Sequence, residues 1–112
     1  MGIDFQLHRA SVDMSKGYRQ LQKADSARSK GNLDSATSHL DKGLNCFAAA
    51  HDHLLNAEDD ACQNAGNEID KGNKELQDSI DSYSNGQADR AERHYEKAME
   101  NYGAALDMFI IE

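Results

Sequence analysis

The sequence predicts an all-α protein, an up-down-up-down antiparallel four-helix bundle made from two duplicated helical hairpins. Three observations carry this reading. The first is an internal repeat: Gly31-Asn32-Leu33-Asp34-Ser35-Ala36-Thr37-Ser38-His39-Leu40-Asp41-Lys42 returns 55 residues later as Gly86-Gln87-Ala88-Asp89-Arg90-Ala91-Glu92-Arg93-His94-Tyr95-Glu96-Lys97. At that offset, residues 13–54 and 68–109 are identical at 13 of 42 positions, which identifies a duplication. The second is composition: proline and tryptophan are absent and only four Tyr and three Phe occur, which favours uninterrupted helices over a sheet. The third is periodicity, with apolar residues recurring at steps of three and four in four segments separated by turn signals.

The first segment, 3–29, places Leu7, Ala10, Met14, Gly17, Leu21 and Ala24 on one helix face. Gly31 follows as a left-handed C-terminal cap, and Asn32 is a good N-cap for a second helix. That helix, about 33–55, has Leu33, Leu40, Leu44, Phe47, His51 and Leu54 on its inner face. Asn56 reads as the next N-cap, with Glu58, Asp59 and Asp60 complementing the dipole of a third helix, about 58–84. Its inner face is Cys62, Ala65, Ile69, Gly72, Leu76, Ser79 and Tyr83. Gly86 marks the last turn, and the fourth helix, about 88–110, presents Tyr95, Met99, Tyr102, Leu106 and Phe109. Helices this polar do not persist alone, so they must pack together, with a pseudo-two-fold axis relating the two hairpins.

Small residues recur every seven positions within this pattern. Ala10, Gly17 and Ala24 match Ala65, Gly72 and Ser79, while Ala36, Gly43 and Ala50 match Ala91, Ala98 and Ala105. Such stripes let helices approach closely, with large side chains from a facing helix filling the space. Folding each hairpin at its glycine places Gly17 and Gly72 level with Leu44 and Met99, and Phe47 and Tyr102 in the layer of Met14 and Ile69. Interdigitated packing is the expected use of the glycines. Lining a small ligand cavity is the alternative.

The chain reads as one domain, 1–112, with internal repeats at about 3–56 and 58–111. Its net charge of −8, without a basic cluster, argues against nucleic acid and anionic membrane as partners. It has no apolar run of roughly 18 residues and no basic-then-apolar leader. A cytoplasmic location is expected.

The segments Gly31-Asn32-Leu33, Ala36, Leu40, Gly43 and Gly86, Ala91, Tyr95, Ala98 resemble the turn and second helix of a tetratricopeptide repeat. They are also similar to the hairpins of microtubule-interacting-and-transport domains. The match covers about fourteen residues in each half, and the period is 55 where that repeat has about 34. The resemblance implies a helical hairpin used for protein contact rather than a superhelical peptide groove.

No catalytic residue and no cofactor are predicted. His51 and His53 lie two apart and project from opposite sides of a helix, while His39 and His94 fall on outward positions of diagonal helices and point apart. No metal site is therefore expected within one chain. His51 occupies a core position matched by Leu106 and is expected to find a structural partner. Cys46 is placed outside and Cys62 inside, too far apart along the hairpin for a disulfide, and neither has the context of a catalytic thiol.

The expected function is that of a non-enzymatic interaction protein in an accessory or adaptor role. The alternative is a metal- or small-ligand-binding bundle. The candidate interaction surface is Phe5, Val12 and Ile111: Phe5 and Val12 lie seven apart on the outermost face of the first helix, where the second copy has Asp60 and Asn67. The chain's apolar end, Phe109-Ile110-Ile111, falls beside it in an antiparallel bundle and either extends the patch or is shielded by Phe5. The expected partner is another protein or a second copy in a homodimer.

Overall fold

The computed structural model describes residues 3–109. Four helices account for nearly all of it: α1 (Ile3–Ser29), α2 (Leu33–Leu55), α3 (Asp60–Ser84) and α4 (Ala88–Phe109). They run up, down, up and down as an all-α four-helix bundle measuring 43 × 23 × 19 Å. The long dimension matches α1, whose 27 residues span about 40 Å at about 1.5 Å each.

The turns have local causes. Gly31 and Gly86 adopt φ +78° and +74°, the left-handed conformation that ends a helix without a Cβ clash. Asn32 caps α2 by accepting from the Ser35 N–H at 3.2 Å. At the α2–α3 turn the expectation is corrected. Asn56 closes α2, donating its N–H to the Asp52 and Leu54 carbonyls, and the N-cap of α3 is Asp59, which accepts from the Cys62 N–H at 3.0 Å. The acid-rich run supports both assignments on paper. Glu58 settles the matter by taking φ +54°, outside the helix, and so delaying α3 until Asp60.

All six stripe positions of α1 and α3 and all six of α2 and α4 are buried. Gly17 and Gly43 meet where α1 crosses α2: a Cβ built on Gly43 would lie 3.3 Å from the Gly17 carbonyl oxygen. The residue filling the layer differs from the expected Leu44 and Met99, which are only partly buried. A Cβ on Gly17 would lie 2.8 Å from Phe47 ring carbons, and one on Gly72 would lie 2.6 Å from Tyr102 Cε1. Helical side chains lean toward their own N-terminus, so Phe47 and Tyr102 reach back one layer and cover the glycines. Rings, not a ligand cavity, occupy that space. Leu33, expected inside, is exposed at the first turn of α2.

α2 packs along both α1 and α3, and α3 packs along α4. α1 and α4 do not approach as closely, so the pseudo-two-fold relation is incomplete. Side chains span this seam: the Tyr18 and Tyr102 ring centroids lie 6.5 Å apart, and the Arg28 guanidinium sits 5.5 Å from the Tyr95 ring centroid.

Candidate functional site

Three regions carry features beyond simple packing. The first is the centre of the bundle. Phe47 and Tyr102, residues 55 apart, stack on each other with centroids 3.8 Å apart and planes inclined by 13°. Tyr18 meets Phe47 edge-on at 5.3 Å, and the Tyr102 hydroxyl donates to Asn73 Oδ1 at 2.7 Å. Nearer the hairpin turns, Arg28 Nη1 donates at 2.9 Å to the hydroxyl of Tyr83, also 55 residues away. Arg28 pairs with Asp25 and reaches Glu92 at 3.7 Å. Burial pushes the Tyr18 phenol up to about 12, with Tyr95 adding to the effect, and raises Tyr95 and Tyr102 as well. These phenols are held neutral and structural. Burial, followed by the Asp59 carboxylate beside its side chain, likewise raises the Cys62 thiol, which disfavours the reactive thiolate.

The second region comprises the outer edges of the hairpins. His39 and His94 are half-buried rather than fully outward, each bonded to the preceding helix of its own hairpin. His39 Nδ1 lies 2.8 Å from Gln20 Oε1, and His94 Nδ1 lies 2.7 Å from Glu75 Oε1. Beside His39 runs an open groove bordered by Arg19, Lys23, Lys30 and Asn32. The positions 55 residues later are Lys74, Asp78, Asn85 and Gln87. The same edge is thus cationic in the first hairpin, whereas in the second Asp78 joins Glu75, the match of Gln20, beside His94. Glu75, Asp78 and His94 bring one ligand-type atom each within 4.8 Å of one another.

The third region is the predicted surface. Phe5 is 40% and Val12 38% exposed, while Ile111 and Ile110 lie outside the described residues, as does the Phe109 side chain. The Arg9 guanidinium lies over the Phe5 ring, 5.9 Å from its centroid. Leu55 and Met108 are also exposed, so among the described residues four of the five large exposed apolar side chains belong to the half that holds the α2–α3 turn. His51 is half-buried with Asp52 at 4.0 Å, and His53 lies 3.0 Å from Gln6 Oε1 and 3.6 Å from Asp13. Cys46 and Cys62 are both free.

The Glu75, Asp78 and His94 grouping does not follow from the sequence reading, which places His94 on an outward position, whereas the structure sets it half-buried against α3. A usable signal exists: Glu75 and Asp78 share one face of α3 at i, i+3, and the register that sets Gly72 level with Met99 places His94 between their levels. Comparison with known proteins yields no matching family model, curated protein or solved structure. No helix among the described residues is long and apolar enough to cross a membrane.

Proposed function

We propose that this chain is a non-enzymatic helical-bundle protein acting through protein contact, and that its partner is a second copy of itself, met through the outer face of α1. The observation carrying this reading is the exposure of Phe5 and Val12 at positions where the second half has Asp60 and Asn67. Two large apolar residues one heptad apart form a seam that water disfavours, and burying them against their own images is the simplest closed solution. The resemblance to tetratricopeptide and microtubule-interacting hairpins supports a contact role. Since Phe47 and Tyr102 fill the inner face, the contact belongs on the outside. A cytoplasmic setting is part of the proposal and is supported by two free thiols in one small chain. The charge of −8 supports a protein partner over nucleic acid or anionic membrane.

Light scattering coupled to size exclusion tests this. Wild type is expected to elute as a dimer, and Phe5→Asp and Val12→Lys as folded monomers with unchanged far-ultraviolet circular dichroism. A monomeric wild type, or variants that remain dimeric, overturns it.

A further inference from the structure

We infer that Glu75, Asp78 and His94 form a binding site for one divalent transition-metal cation on the α3–α4 edge. The site is separate from the self-association surface on α1 and does not depend on it. One imidazole nitrogen and two carboxylate oxygens, one from each residue, lie within 4.8 Å of one another. A zinc-like cation, with bonds of about 2.0–2.2 Å, needs its ligand atoms roughly 3.4 Å apart in tetrahedral geometry. Glu75 and His94 already approach to 2.7 Å, and Asp78, exposed on the next turn, has the freedom to swing inward. Three protein ligands leave one position of a tetrahedral shell for water. The mixed nitrogen and oxygen donor set suits zinc or manganese better than a purely oxygen-seeking ion such as calcium.

Charge points the same way. The neighbouring lysines of α3 are directed elsewhere, Lys71 to Glu68 at 3.0 Å and Lys74 to Asp70 at 3.3 Å. Among the described residues no lysine or arginine pairs with Glu75 or Asp78, and the basic group beside Glu75 is His94. Two carboxylates therefore face a single imidazole, and a divalent cation neutralises them. The first hairpin supplies an internal contrast. Its His39 makes the same bridge to its neighbouring helix, but the positions matching Glu75 and Asp78 are Gln20 and Lys23. One copy has the carboxylates that a cation requires. The other has a neutral amide and an ammonium that repels it.

Calorimetric titration of chelator-treated, tag-free protein with zinc chloride tests the site, with cobalt(II) absorption reporting nitrogen ligation. Wild type should take up one zinc per chain. His94→Ala and Glu75→Gln should weaken binding at least about tenfold, the lower end of what even outer-shell changes cost a metal site. His39→Ala should bind as wild type does. The double variant Gln20→Glu, Lys23→Asp, which copies the second hairpin's ligands into the first, should raise the stoichiometry to two. Circular dichroism of each variant excludes unfolding as the cause. No zinc uptake by wild type, equal loss in His39→Ala and His94→Ala, or one zinc in the double variant overturns the inference.

Discussion

Replacing Gly72 by alanine separates two opposing effects, and Gly103 provides the control. Both glycines lie within helices, where alanine is favoured by roughly 1 kcal/mol through reduced backbone entropy in the unfolded chain. At Gly103 a new Cβ meets nothing within 4 Å, so that gain stands alone. At Gly72 the Cβ would lie 2.6 Å from Tyr102 Cε1 and 2.8 Å from Cδ1. The ring must retreat by about 1 Å to reach ordinary contact distance. It has nowhere to go. Its far face is stacked on Phe47 at 3.8 Å, and its hydroxyl is tied to Asn73 at 2.7 Å. Overpacking of this kind costs about 1–3 kcal/mol. Because the helix-propensity gain is common to both variants, their difference measures the overpacking directly. At about 4 °C per kcal/mol for a domain of this size, Gly72→Ala should melt roughly 4–12 °C below Gly103→Ala. Thermal melts followed by far-ultraviolet circular dichroism provide the assay, and Gly17→Ala, which meets Phe47 at 2.8 Å, should behave like Gly72→Ala. If all three variants melt within about 2 °C of one another, the rings are not confined and the account of the glycine layer is wrong.

Two further outcomes follow from the buried groups and the caps. Tyr18, Tyr95 and Tyr102 titrate above the ordinary phenol value of 10.0, so the fold holds them protonated. Their contribution to stability is fully present below pH 10 and is lost as pH rises toward 12. Urea midpoints should therefore fall progressively above pH 10, with the phenolate absorbance of these three tyrosines developing only as the protein unfolds. Asp59→Ala removes the acceptor for the Cys62 N–H and should cost about 1 kcal/mol in urea denaturation, with Asp59→Asn restoring most of it.

The sequence and the structure agree where spacing alone decides the outcome. Helix number, the glycine turns at 31 and 86 and the buried small-residue stripes were legible because each follows from period and backbone conformation. Which large residue fills the glycine layer was not, because it depends on the lean of Phe47 and Tyr102 along their helices rather than on their Cα positions. The start of α3 was misplaced because Asn56 and Asp59 are both good caps and only the backbone at Glu58 chooses between them. Of the surface, Phe5 and Val12 were legible because the halves differ there in hydrophobicity, and both are exposed. The halves differ in charge at Glu75 and Asp78 as well, where the first half has Gln20 and Lys23.

The contacts between residues 55 apart also bear on how such a bundle can change. If two separate copies of one hairpin met in this arrangement, each position on the axis would face itself, and any substitution there would appear on both sides at once. Phe47 against Tyr102 differs little from such a self-pair. Arg28 donating to Tyr83 is another matter, since identical copies would set arginine against arginine or tyrosine against tyrosine. Joining the hairpins in one chain through the turn at 56–59 removes that constraint, and the two sides of the axis become free to specialise into donor and acceptor.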